Sequence, residues 1–296
     1  MNELVAQTQL HRDLLISYVY RITGSLEEAK DITQETIIKL LGSKEENILN
    51  PKAWMFKVAT NLTFDFLKSA KNNREFYIGP WLPEPYIEEK NISAQDELEQ
   101  DESLSVALLV ILEKLSYKEK ITYILHDIFD FSHSEISKVL NTSVPNSRQL
   151  LSRANKKLKE EKNSYTPSKK EHEHLTNSFL QAIKKGDFND LNKLFSDEIK
   201  FYSDGGGKAI AARKILYGNK EFITKFLIKV SSSAFFSDEI NSKIETVWFN
   251  GSLGIILSLD GKVVSSYNFE IKDHKIISIY ALRNPDKLKY FNDRES

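Results

Sequence analysis

Residues 132–160, "SHSEISKVLNTSVPNSRQLLSRANKKLKE", decide how the rest of the chain is read. Ser132 and Glu135 have the spacing of a capping box, in which hydroxyl and carboxylate satisfy two orphan amides at a helix start. That predicts a short helix, "SHSEISKVL", then the turn "NTS" and a longer helix from Val144. Ser143 is the expected N-cap of the second helix, and Pro145 is tolerable in its first turn. A short helix, a three-residue turn and a longer basic helix make a helix-turn-helix. Projected at about 100° per residue, Val144, Leu151, Ala154 and Leu158 fall inward. Asn146, Gln149, Ser152, Arg153 and Lys156 fall outward, side chains able to reach base edges and phosphates in a major groove.

Working outward, charge and proline divide the chain. The 296 residues suit about two domains or a few modules, and 41% apolar with 28% charged residues is enough for real cores. Glu84 to Glu102 holds eight acidic residues and one lysine, a local net of −7, whereas Ser143 to Lys162 carries a net of +4. Pro80, Pro83 and Pro85 cluster just before the acidic run. The expected organisation is a helical unit over 1–77, an acidic linker over 78–100 and a helical unit over 101–162. A spacer over 163–171 and a third domain over 172–296 follow. With no cysteine, disulfides and thiolate metal sites are excluded. No signal peptide and no membrane span are evident, so a cytoplasmic location is expected.

In the first unit, Ser25 with Glu28 predicts a capped helix, "SLEEAKDITQETIIKLL". Leu26, Ala29, Ile37, Leu40 and Leu41 form its apolar face, and Glu28, Asp31 and Glu35 its polar one. Pro51 opens a second helix whose Trp54, Val58, Leu62 and Phe66 recur at helical spacing, ending in Lys68, Lys71 and Arg74. Trp54 and Phe56 read as core. The third domain changes character. Helices are followed by the strands "EIKFYSD", "SKIETVWF", "SLGIILSL", "VVSSYNFEI" and "KIISIYAL", the last four separated by Asn250-Gly251, Asp260-Gly261 and Asp273-His274. These are hairpin signals, so an α+β domain with an antiparallel meander is expected, its cone a place for a pocket. "DGGGK" over 204–208 is not a nucleotide loop. Lys208 precedes Ala209 where a hydroxyl is needed, and Tyr202 stands where the first glycine belongs.

In order, "AKDITQETIIKL", "PKAWMFKVATNLTFDFLKSAKNNRE" and "HSEISKVLNTSVPNSRQLLSRANKKL" resemble regions 2 and 4 of a sigma factor of the extracytoplasmic-function (ECF) type. "GPWLPEP", "DGGGK" and "NPDKL" resemble the signatures of the subgroup with a fused C-terminal SnoaL-like domain, a nuclear-transport-factor-like cone. The implied fold class is multidomain: two all-α sigma domains followed by an α+β cone-shaped domain.

The resemblance implies core RNA polymerase (β′ clamp helices and β flap) and promoter DNA as partners; the cone of the C-terminal domain has room for a small-molecule ligand, and no membrane partner and no cofactor are expected. Asp31, Gln34 and Glu35 would meet the clamp helices. Lys57, Asn61, Lys68 and Arg74, with the loop between Gly42 and Asn50, would hold the −10 strand. Asn146, Arg148, Gln149, Arg153 and Lys156 would read the −35 duplex, and residue type does not separate base readers from phosphate clamps. The acidic linker would run through polymerase channels. Three segments are expected to meet in space: Trp81, Leu82, Pro83, Glu84 and Pro85; Asp204, Gly205, Gly206, Gly207 and Lys208; and Asn284, Pro285, Asp286, Lys287 and Leu288. They would couple the third domain to the sigma regions.

Two other readings stand beside this one. One is a helix-turn-helix repressor whose third domain senses a small molecule. The other is an enzyme using Tyr202, Asp204 or His274 as acid-base groups. His172 and His174 read as surface residues, and no metal site is expected.

Overall fold

Three threonines show how the first helices are built. The computed structural model describes residues 2–43, 48, 50–74, 77–87, 102–161, 167–235 and 241–292. It begins with α1 (Asn2–Thr23), α2 (Leu26–Leu41) and α3 (Pro51–Arg74). Ser25 caps α2 through the Glu28 amide at 3.3 Å. The face that α2 buries is Leu26, Ala29, Ile32, Thr33, Thr36 and Leu40. Ile37 is half-buried and Leu41 exposed, contrary to the expected apolar face. On α3 the buried residues are Met55, Phe56, Ala59, Thr60 and Thr63, whereas the expected stripe of Trp54, Val58, Leu62 and Phe66 is half-buried. Thr36, Thr60 and Thr63 donate to the carbonyls of Ile32, Phe56 and Ala59 at 2.8, 2.6 and 2.7 Å. With those hydroxyls satisfied by the preceding turn, threonine takes an inner position at little cost.

After α4 (Val106–Leu112), α5 (Tyr117–Tyr123) runs into a π-helical turn over Ile124–Ile128, closed by Phe129 N–H to Ile124 O. Then come α6 (His133–Val139) and α7 (Val144–Glu161). The helix-turn-helix forms as read: Ser132 and Glu135 make the capping box, and Asn141 turns the chain at φ 48°. The buried face of α7 is Ser147, Leu150, Ala154 and Leu158, while Val144 and Leu151 are half-buried. Ser147 replaces Val144 because its hydroxyl meets His133 Nδ1 at 3.0 Å across the motif.

The chain divides into two units, Met1–Phe76 with Leu109–Lys162 and Tyr77–Leu108 with Asn163–Ser296. The helical segments read as separate in the sequence thus share one unit. Tyr117 donates to the Thr60 carbonyl at 2.9 Å, and the buried Lys120 donates to the Ile22 carbonyl at 3.1 Å and pairs with Glu113. Phe56 packs on Phe129 and Phe131, with centroids 5.7 and 4.9 Å apart. The linker boundary at 100 also moves, because Leu104 and Val106 are buried within the second unit.

That unit contains α8 (Lys169–Lys185), α9 (Phe188–Leu194), β1 (Phe195–Asp204), β2 (Leu216–Tyr217) and α10 (Lys220–Phe235). It continues with β3 (Ser242–Phe249), β4 (Ser252–Leu259), β5 (Lys262–Lys272), β6 (Lys275–Leu282) and α11 (Lys289–Asn292). The sheet order is β2-β1-β6-β5-β4-β3, with β1 and β6 parallel and every other neighbour antiparallel. Strand alternation gives the sheet two faces. One buries Phe201, Ile255, Phe269 and Ile279 against Phe179 and Leu180 of α8 and Ile223 and Leu227 of α10. The other carries Tyr202, Asp204, Ser266, Asn268, Tyr280 and Leu282.

Candidate functional site

The second face of the sheet is where the quoted signatures converge. Asp204, the last residue of β1, has 0% of its surface exposed. Its Oδ1 accepts from the Tyr77 hydroxyl at 2.5 Å and the Gly206 amide at 3.0 Å. Its Oδ2 accepts from the Leu82 amide at 2.9 Å and Lys287 Nζ at 2.7 Å. A buried carboxylate needs this many donors to replace its hydration. Lys287 also donates to the Leu82 carbonyl at 2.6 Å, and its ammonium lies 4.4 Å from the Trp81 ring centroid and 4.9 Å from that of Tyr77. Burial, then the adjacent Asp204 carboxylate, raises the Tyr77 phenol far above its ordinary range, so it remains a donor.

The glycines make this approach possible. A side chain at Gly205 would strike the Ala209 carbonyl, and one at Gly206 the Asn284 amide; Gly206 and Gly207 also lie at φ 56° and 73°. Asn284 donates to the Tyr77 hydroxyl at 3.0 Å and accepts from the Asp286 amide at 3.1 Å. Lys208 pairs with Asp286. Leu82, Pro83, Pro85 and Leu288 are buried, Glu84 and Trp81 are half-buried, and Pro285 is exposed.

A second staple was hidden from sequence reasoning. Asn250, read as a hairpin turn residue, accepts from the Tyr86 amide at 3.2 Å through its side chain. It also donates to the carbonyls of Tyr86, at 2.7 Å through its backbone, and Leu104, at 3.3 Å through Nδ2. Its sole sequence signal is the Asn-Gly pair, which the turn fully explains.

The interior expected to hold a ligand is filled on the helix side by Phe179, Phe195, Phe201 and Phe269. A small cavity lies instead on the opposite face, between Leu82, Pro83 and Pro85 and the sheet residues Ser266, Asn268 and Tyr280. Tyr202, Asp204 and His274 are not assembled as an acid-base set. Tyr202 stacks on Tyr280 at 4.9 Å, and Asp204 is saturated by its donors. His274 is exposed at the far end of β6 from Leu282, the partner of Asp204, and pairs with Glu171 at 2.7 Å. His172 is no surface residue: it is 3% exposed, and desolvation lowers its pKa although the Phe269 carbonyl opposes that shift. His174 is exposed. Among the described residues no group of three or more His, Cys, Asp or Glu is placed to hold a metal, and no helix is long and apolar enough to cross a membrane.

The helical unit presents the other candidates on its surface. Asp31, Gln34 and Glu35 are exposed on α2, and the exposed Ile38 and Leu41 continue the same stripe. Lys57, Asn61 and Lys68 are exposed on α3, Lys68 lying 3.9 Å from the Phe64 ring centroid. The side chain of Arg74, much of the loop after Gly42 and the acidic stretch 88–101 lie outside the described residues. On α7, Arg148, Gln149, Arg153 and Lys156 are exposed. Asn146 is half-buried and donates to Thr142 Oγ1 at 2.7 Å, so part of its amide is engaged within the motif.

Comparison with known proteins covers both units. Family models match residues 8–73 as Sigma-70 region 2 and residues 105–158 as Sigma-70, region 4. The ECF RNA polymerase sigma factor SigJ of Mycobacterium tuberculosis is 29% identical over 295 residues, spanning 96% of this chain and 92% of that protein. The ECF RNA polymerase sigma factor SigW of Bacillus subtilis is 28% identical over 143 residues, 46% of this chain and 75% of that protein. The crystal structure of M. tuberculosis SigJ matches with TM-score 0.74 and 27% identity, covering 96% of this chain and 98% of that one. With helix-turn-helix, region 2 helices and C-terminal α+β domain all in place, the chain is a sigma factor of the extracytoplasmic-function type.

Proposed function

We propose that this sigma factor binds core RNA polymerase through the outer stripe of α2 and reads promoter DNA through α3 and α7. We propose further that its C-terminal domain controls the segment joining the two sigma regions. Asp31, Gln34 and Glu35 offer acceptors to a basic partner, and Ile38 and Leu41 add an apolar anchor, the mixture of protein interfaces. Lys57, Asn61, Lys68 and Arg74 hold the −10 strand as single-stranded DNA, their cations on phosphates and the amide on a base. Arg148, Gln149, Arg153 and Lys156 face the −35 duplex, with Asn146 at its edge.

One observation carries the regulatory part. The Asp204 carboxylate, inside the C-terminal domain, is bonded to Tyr77 and Leu82, which lie 127 and 122 residues earlier in the chain. Segment 77–87 is thereby held by Asp204, Lys287 and Asn250, and its freedom to follow the polymerase surface depends on them. The test is run-off transcription with core RNA polymerase, comparing the full chain with Asp204→Ala, Trp81→Ala and a chain ending near Tyr165. Both substitutions are expected to move the yield in the direction of the truncation. Unchanged yields from both, in proteins that melt cooperatively, remove the regulatory role.

A further inference from the structure

We infer that the open edge of β2, with the start of α10, is a docking surface for an acidic, extended peptide of a partner protein. Among the described residues β2 ends the sheet, pairing with β1 alone through Lys200 with Tyr217 and Phe201 with Leu216. The Gly218 amide reaches back to the Ile199 carbonyl at 3.2 Å. Because backbone groups alternate along a strand, the Tyr217 N–H and C=O face away from β1, toward the vacant side.

Proteins protect such an edge by keeping it short and charged. Here β2 is short, but its surroundings are apolar as well as charged. Ile210, Ile215, Tyr217 and Phe222 are 88%, 47%, 62% and 51% exposed, a concentration within thirteen residues of one loop and helix start. Exposed Ile78 extends the surface, since Gly207 lies against it and Gly79 against Ala212 and Arg213. Isolated apolar side chains on a surface are ordinary, but four exposed within so short a segment, Tyr217 and Phe222 flanking the edge from opposite faces of the sheet, mark an interaction site.

Charge selects the occupant. Lys208 to Lys229 contains six basic residues and one acidic residue, Glu221. Lys208 and Lys220 are neutralised by Asp286 and Asp197, whereas Arg213 and Lys214 stand exposed beside Ile215 with no ion-pair partner among the described residues. Duplex DNA would use the cations and leave the aliphatic groups wet. A peptide strand alternating acidic and apolar side chains uses all three features: the edge amide and carbonyl, the apolar patch, and the cations.

The experiment selects a random twelve-residue peptide library on the full-length protein and measures the enriched peptides by fluorescence anisotropy. Peptides alternating Asp or Glu with aliphatic or aromatic residues are expected. Tyr217→Ala should weaken them at least about tenfold, as loss of a buried aromatic anchor does. The double variant Arg213→Glu, Lys214→Glu should weaken them further and reduce their salt dependence. N-methylating alternate amides of the peptide, which leaves the protein untouched, should abolish binding in one register only. Binding indifferent to both N-methylation registers overturns the strand-pairing geometry. Failure to enrich any peptide, capture of a random-sequence duplex through Arg213 and Lys214 in place of peptides, or preferential binding of a synthetic 88–101 peptide overturns the partner assigned here.

Discussion

With no exposed surface, the Asp204 carboxylate depends on four donors for its solvation, two of them from segment 77–87. Asp204→Ala leaves the Lys287 ammonium, itself nearly buried, without its counter-charge. Breaking a buried pair in this way costs roughly 3–5 kcal/mol, which urea unfolding of the full chain would measure. Lys287→Met should cost less, because the carboxylate keeps Tyr77, Gly206 and Leu82. His172 makes a different prediction. Its folded pKa is lowered, chiefly by burial, so the unfolded chain binds the proton more readily than the native one. The stabilisation is fully present above the unfolded value of about 6.5 and is lost as pH falls below it. Thermal melts of the full chain between pH 7.5 and 5 should show this decline, and His172→Gln should flatten it.

At the scale of elements, α2 and α7 separate what is buried from what is offered. Ile38→Asp should weaken retention by core polymerase on a co-purification column while leaving the melting temperature nearly unchanged, because Ile38 is exposed. On α7, Arg153→Ala should cost about 1–3 kcal/mol and relax preference at one base pair if the guanidinium reads a base. If it holds a phosphate, binding should weaken uniformly with a shallower salt slope. Titrations against single-base variants of a −35 duplex distinguish the two. The elements were largely legible: the N-cap at Ser25 and the capping box at Ser132 marked helix starts, and the dipeptides at 250, 260 and 273 marked hairpins. The inward faces were less so. An apolar projection passes over Thr36, Thr60, Thr63 and Ser147, which enter the core because their hydroxyls find local acceptors. β2 was missed because two residues carry no alternation, and His172 because its burial is decided by Thr176 and Phe269 around it.

For the whole molecule, charge and proline located the linker, but they did not reveal that its flanks belong to the C-terminal unit. That depends on Asn250 and Asp204, which lie far along the chain. The three signature segments were named by resemblance; their bonds to one carboxylate were not readable from spacing. A chain ending near Tyr165 loses the surface that buries Leu82, Leu104 and Val106. Such a protein should bind an apolar dye such as ANS more strongly than the full chain and should aggregate at lower concentration. If its dye binding matches the full chain, segment 77–108 has found another cover.

The sequence distances within the Asp204 cluster also set an order of events during synthesis. Leu82 leaves the ribosome 122 residues before Asp204 and 205 residues before Lys287. At about 5–20 residues per second, the nascent chain carries segment 77–87 without its final lysine for some ten to forty seconds. Helices α1 to α3 have emerged before that interval opens, and α4 to α7 emerge well within it. A ribosome that stalls or terminates before Asn284 therefore releases a protein whose promoter-reading parts are complete and whose restraint was never fastened.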